Sequence, residues 1–265
     1  MTRPAAPVLP RPASSVVLVR TGEACPIEVY MIRRQKSMRF LGGYYAFPGG
    51  KLEREDGGPA MFDRCRGLEP AAAERAFSSR DGIPALTFWV SAARELLEET
   101  GVLVARDEDG RAIDAQDRAV ARRVETMRQA LVADRAPLHG LLTEEGWYLD
   151  LAPFRYLSQF VTPPSSPIRF TARFFLAPVP AGQAARLIED EASEGFWIDP
   201  AEGYRRFHGG GMPMAEPAYS GLAYLAEFES LDALWVAHAD GEPKFHGIND
   251  RLDAAGLRVP RRPLP

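Results

Sequence analysis

Two periodicities alternate along this chain. Ser15-Val-Val-Leu-Val-Arg20 is a short apolar run between polar ends, and Ile27-Glu-Val-Tyr-Met-Ile-Arg33 alternates, so both predict strands. Strand signals return at Phe154–Val161 and Ile168–Val179. In the latter, Phe170, Ala172, Phe174 and Leu176 share one face, while Arg169, Thr171, Arg173 and Phe175 take the other. Phe196-Trp197-Ile198 predicts a short strand before the helix-start signal Asp199-Pro200. Helical periodicity marks Thr87–Thr100, with Gly101 as its C-terminal cap, and recurs over 114–134 and 216–238, with a shorter piece at 69–77. Apart from that piece, residues 54–84 have loop composition, opened by Gly57-Gly58-Pro59 and closed by Gly82-Ile83-Pro84. Residues 1–13 carry four prolines and read as a flexible leader, and the tail from Arg251 as loose. Helices and strands intermix, which favours an α/β or α+β layer fold.

Composition narrows the function. The chain has 265 residues, 46% hydrophobic and 26% charged, an ordinary globular balance. Its net charge of −4 does not favour a broad nucleic-acid-binding surface. Cys25 and Cys65 give neither a disulfide framework nor a four-ligand zinc site and fit a reducing compartment. No stretch approaches the roughly 18 apolar residues needed to cross a bilayer. The expectation is a cytoplasmic protein without membrane or nucleic-acid partners. Of the 32 basic residues only Lys36, Lys51 and Lys244 are lysines, and arginine is the better fork for phosphate.

The informative segment is Arg94-Glu95-Leu96-Leu97-Glu98-Glu99-Thr100-Gly101-Val102. On a helix, Glu95, Glu98 and Glu99 fall within about 100° of arc, opposite Trp89, Val90, Ala93, Leu96 and Leu97. Like charges at these spacings weaken a helix by a few tenths of a kcal/mol per pair, roughly, and a divalent cation with hard oxygen ligands, Mg²⁺ or Mn²⁺, removes the repulsion. A solvated acidic face is the alternative. Arg94 stands four residues before Glu98 and can brace it. Upstream, Phe47-Pro48-Gly49-Gly50-Lys51-Leu52 offers two glycines that let backbone approach a ligand closely.

Glycine turn followed by acidic helix resembles the box of the Nudix hydrolases, G-x5-E-x7-R-E-U-x-E-E-x-G-U, with U apolar. Arg94 to Val102 match its second half without a gap, and Gly50 begins the first half. Asp56 stands where the family has Glu, and 37 residues (57 to 93) stand where the pattern has seven, so about 30 extra residues split the box. An insertion there costs little closure entropy. The stretch from Tyr30 to Gly50, with Arg34, Arg39, Gly43 and Phe47–Gly50 in register, is similar to the upstream motif of coenzyme A diphosphatases in this family. A subgroup of those enzymes also has a split box, and it looks similar again at Thr162-Pro163, Arg169-Phe170 and Phe174-Phe175-Leu176.

The resemblance implies a Nudix-type α/β/α sandwich with a mixed sheet over 14–200, an insertion at 57–84, and a helical C-terminal extension at 201–265 packed on the core. It implies a metal-dependent diphosphatase acting on a small nucleotide substrate. Coenzyme A or an acyl-coenzyme A, cleaved to 3′,5′-ADP and (acyl-)4′-phosphopantetheine, is the leading expectation; ADP-ribose or NADH is the alternative within enzymes, and a non-catalytic nucleotide-sensing module the alternative outside them. Glu95, Glu98, Glu99 and the Gly50 carbonyl are the implied ligands for Mg²⁺ or Mn²⁺, with Glu98 or Glu95 as proton acceptor and Arg94 as structural support. Arg34, Arg39, Arg33 and Gly49 are the implied substrate contacts, and Glu191 or Glu194 the outlying ligand. Monomer and homodimer remain equally open. His208-Gly-Gly-Gly lacks a G-x-S-x-G partner and reads as a turn.

Overall fold

The computed structural model describes residues 8–77, 82–188 and 192–239. The strands are β1 (Arg11–Arg20), β2 (Glu28–Arg34), β3 (Tyr45–Ala46), β4 (Gly49–Lys51), β5 (Cys65–Arg66), β6 (Ala105–Arg106), β7 (Tyr148–Asp150), β8 (Arg155–Val161), β9 (Phe170–Pro178) and β10 (Ala192–Ile198). The helices are α1 (Pro59–Phe62), α2 (Pro70–Ala76), α3 (Leu86–Thr100), α4 (Arg118–Val132), α5 (Leu138–Glu145), α6 (Pro200–His208), α7 (Glu216–Leu225) and α8 (Leu231–Ala237), with a 3-10 turn at Arg54–Asp56.

The main sheet runs β10-β2-β1-β9-β8, with β3 paired to β2 and β4 to β1. β1 and β9 are parallel, from Arg11 opposite Phe170 to Val19 opposite Pro178, while the other pairs are antiparallel. This is a mixed sheet covered on both faces. Val16 and Leu18 face α3 and α4, whereas Val17 and Val19 face the helical layer that contributes Leu222, Leu225 and Leu234. Burial on both sides explains why β1 reads as a continuous apolar run. The expected α/β class with helices on a mixed sheet is what the chain adopts.

Several details differ from the periodicity. β1 begins at Arg11, inside the expected leader, because Arg11–Ala13 pair with Phe170–Ala172; residues 1–7 lie outside the described residues. The stretch 54–84 contains α1, β5 and α2, and β5 joins β7 and β6 in a separate small sheet. The helical signal over 216–238 splits into α7 and α8, the second capped by the Ser230 hydroxyl, which accepts from Ala233 N–H. The α6–α8 layer is an integral face of the sandwich. The tail from residue 240 lies outside the described residues. Among the described residues no helix is long and apolar enough to cross a membrane.

Candidate active site

Strand β1 places both halves of the site. Gly49 and Gly50 pair with Ser15 and Ser14, and the Ser15 hydroxyl donates to the Pro48 carbonyl at 2.8 Å. The Ser14 hydroxyl donates to the Phe88 carbonyl at 2.8 Å, tying α3 to the same strand. α3 ends where Gly101 turns left-handed at φ 73°, its N–H returning to the Leu97 carbonyl.

Glu95 and Glu99 therefore lie under the glycine turn, while Glu98 stays partly open to the cavity above it. Glu95 and Glu99 are each only 7% exposed. The Gly49 N–H donates to Glu99 Oε2 at 2.7 Å. A Cβ on Gly50 would sit 2.4 Å from Glu95 Oε1, and one on Gly49, at φ 153°, would sit 2.4 Å from the Ser14 carbonyl oxygen. Backbone and carboxylates approach this closely only because neither residue has a side chain. Gly49→Ala is expected to destabilise by more than about 1 kcal/mol, since it meets rigid backbone at positive φ. Gly50→Ala is expected to melt closer to wild type but to lose activity by displacing Glu95. Paired thermal unfolding and turnover measurements check this, and equal melting losses would contradict it.

Arg94 lies at the centre, 2% exposed. Its Nε and one Nη grip both Asp56 oxygens at 2.7 and 3.0 Å, the other Nη reaches Glu95 and Glu98 at 3.0 Å each, and the Lys51 carbonyl accepts at 2.8 Å. Asp56, 38 positions away in sequence, thus meets Arg94 directly and also accepts from the Glu53 N–H at 2.8 Å. Burial works against the Arg94 charge, but the hydrogen bond to Asp56 and the charges of Glu95, Asp56 and Glu98 outweigh it and keep the guanidinium firmly protonated. Burial pushes the Glu95 and Glu98 carboxyls up, and Arg94 only partly offsets it.

One guanidinium thus faces four carboxylates, Asp56, Glu95 and Glu98 within 3.0 Å and Glu53 at 4.0 Å. This excess of buried negative charge and hard oxygen suits a divalent cation. Among the described residues no three acidic, histidine or cysteine side chains already form a metal cage; Arg94 holds Glu95 and Glu98 instead.

A cavity of about 540 Å³ opens over this centre, lined by Glu53, Arg54, Glu55, Glu98, Glu99 and Asp134 on its polar side. Glu53 and Arg54 fall in motif positions open to any residue, and Asp134 follows α4, so no local signal marked them. Arg33 is not on the described cavity wall. Its Nη1 donates to Glu194 at 2.6 Å and its Nε to the Gly43 carbonyl at 3.3 Å, and the Tyr45 hydroxyl donates to the other Glu194 oxygen at 3.0 Å. That cluster shares the sheet face of Met31 and Phe196, away from α3. The reason is strand alternation: Arg33 follows Met31, whereas Ile32 faces α3. Arg33 and Glu194, expected with the phosphate and the metal, are thus paired with each other on the sheet face away from α3. Glu191 lies outside the described residues. Arg34 is half-buried with its Nε on the Phe40 carbonyl at 3.3 Å, in register with the cavity residue Ala192, and Arg39 is exposed.

Among solved structures, a NUDIX hydrolase from Alicyclobacillus acidocaldarius is 32% identical, with a match covering 86% of this chain and 96% of that one at a TM-score of 0.67. The chain belongs to the Nudix hydrolases. As such it is a hydrolase of phosphorus-containing anhydrides, a class that generally uses divalent metals. A MutT protein from Methanosarcina mazei (14% identical, covering 83% of this chain and 97% of that one, TM-score 0.41) is also similar. So is the NUDIX domain of Shewanella oneidensis NrtR complexed with ADP ribose (13%, 84% and 89%, 0.40). No protein-family model and no curated protein matches the sequence.

Proposed function

We propose that this Nudix hydrolase cleaves the diphosphate of a nucleoside-diphosphate-linked compound, coenzyme A or an acyl-coenzyme A before others, to 3′,5′-ADP and (acyl-)4′-phosphopantetheine. The observation that carries the reading is the meeting of Gly49–Gly50, the Asp56–Arg94 pair and the α3 carboxylates beneath one cavity. The coenzyme A preference rests on the spacing of Arg34, Arg39, Gly43 and Phe47–Gly50. Residues 57–84 are read as an insertion in the box, tolerated because Asp56 still reaches Arg94.

Glu98 and Glu99, with Glu95 and the Gly50 carbonyl, would hold Mg²⁺ or Mn²⁺. The ion supplies neutralisation of phosphate oxygens and a lowered water pKa. Glu98, the most exposed of the three and braced by Arg94, takes the proton of the attacking water. Arg94 keeps Glu95 and Glu98 aimed and is a positioning residue. Arg54, on the cavity wall, and Arg34 and Arg39 supply cationic forks to the substrate's phosphates.

Incubating the purified chain with coenzyme A, ADP-ribose and NADH, each with Mn²⁺ and again with EDTA, tests this. The expected result is fastest nucleotide release from coenzyme A and none with EDTA. Fastest release from ADP-ribose or NADH moves the substrate to that compound, and release from none removes the reading.

A further inference from the structure

The C-terminal helical layer reaches the glycine turn through one aromatic ring. Phe47 immediately precedes Pro48-Gly49-Gly50 and is only 4% exposed. Its side chain belongs to the apolar cluster of Met212, Met214, Ala218 and Leu222. The ring meets α7 where that helix has no side chain. A Cβ on Gly221 would sit 2.8 Å from Phe47 Cε2 and 2.9 Å from Cζ.

Gly221 stands inside α7, where glycine is the weakest helix former after proline. It is not among the glycines with positive φ, so backbone conformation does not call for it. What it supplies is room for the ring. α7 is hemmed in behind as well, since a Cβ on Gly203 of α6 would sit 2.9 Å from Leu222 Cδ1. A second link is made by backbone. The Tyr45 N–H donates to the Pro213 carbonyl at 2.9 Å, and Tyr45 bridges Met214 just before α7.

Downstream of the ring, the Pro48 carbonyl accepts from the Val16 N–H and the Ser15 hydroxyl, each at 2.8 Å. The Gly49 N–H then reaches Glu99 Oε2 at 2.7 Å. Two residues of chain thus separate the ring from the group that touches a site carboxylate. β4 is only three residues long, so few hydrogen bonds hold it, and a close-packed interior passes a displaced ring on to its backbone.

We propose that Gly221 and Phe47 are positioning residues: the hole that Gly221 leaves in α7 seats the Phe47 ring, and the seated ring sets how closely Gly49 and Gly50 approach Glu99 and Glu95. This rests on the site proposed above and deepens it, by naming the helix face that holds the turn.

Gly221→Ala, Phe47→Leu and the double variant test it, each followed by thermal unfolding. Leucine has no atoms at the Cε2 and Cζ positions, so the double variant relieves the overlap. The first readout needs neither metal nor substrate: hydrogen exchange of the Gly49 amide in EDTA. Gly221→Ala is expected to speed that exchange about tenfold, and the double variant to slow it again. The second is kcat at saturating Mn²⁺ on the fastest-cleaved of coenzyme A, ADP-ribose and NADH. Gly221→Ala is expected to lower kcat by about 10- to 10²-fold, and the double variant to recover most of the loss. A smaller folded fraction alone would appear in the melting curve and would not be reversed by a second truncation. Where Gly221→Ala does not fold, Phe47→Leu carries the test: its kcat falls, and adding Gly221→Ala, which returns a methyl to the emptied space, raises it. Wild-type exchange and kcat in both single variants, a loss in Gly221→Ala that the double variant keeps, or equal kcat in Phe47→Leu and the double variant overturns the proposal. In those cases an inactive Glu99→Gln leaves the proposed site standing. A wild type that cleaves none of the three compounds overturns both.

Discussion

Glu99→Gln lowers turnover by about 10²–10³-fold, the equivalent of the several kcal/mol of charge stabilisation that a metal site supplies to a phosphoryl transition state. The substitution is isosteric. The amide keeps an oxygen that accepts the Gly49 N–H, now 2.7 Å from Glu99 Oε2, so the glycine turn stays in place. What disappears is one negative charge and, in the proposed site, one hard ligand, whose loss would weaken metal affinity as well as rate. Turnover at saturating Mn²⁺, with the melting temperature as control, separates the two effects. Wild-type activity at unchanged stability would remove Glu99 from the site.

Arg94→Met has the largest expected effect on stability, about 3–5 kcal/mol, or roughly 10 °C in melting temperature. Methionine fills much of the volume but leaves Asp56, 2% exposed, and Glu95, 7% exposed, as buried carboxylates without their cation. Burial already pushes the Glu95 carboxyl above its ordinary range, with Arg94 holding it back. Without Arg94 the folded-state value of the Glu95 carboxyl rises further above the unfolded one. Stability tied to a raised folded-state value is present at low pH and lost as pH rises. The deficit should therefore be smaller near pH 5 than near pH 8, as thermal unfolding at both values would show. A pH-independent deficit would mean that lost packing, not unpaired charge, dominates. Activity should collapse in either case, because Glu95 and Glu98 lose the group that aims them.

The two effects act through the same few atoms yet were not equally readable from the chain. Local spacing sufficed for α3, its cap at Gly101 and its three clustered acids, since residues three and four apart on a helix share a face whatever surrounds them. The alternation over Phe170–Leu176 likewise holds: Phe174 and Leu176 meet the α6–α8 layer, and Phe175 meets the α3 layer. The acid face, by contrast, suggested either ligand binding or simple solvation, and its burial under β4 depends on Gly49 and Gly50 pairing with Ser15 and Ser14. The face that Arg33 takes was not legible from its proximity to Arg34, because one step along a strand reverses the face, and there Arg33 pairs with Glu194, which also accepts from Tyr45.

The sequence by itself determined the mixed α/β class, the acidic helix and the resemblance to the Nudix box, because each rests on periods and spacings confined to a few turns of chain. Only the tertiary structure decided that Asp56 clasps Arg94 across 38 positions, and that α4 and the 183–188 segment bring Val132 and Ile188 to the same cavity as Glu98 and Glu99. Those juxtapositions join segments separated by dozens of residues. They come from burying β1 on both faces and from closing loops whose composition carries no record of where their ends meet.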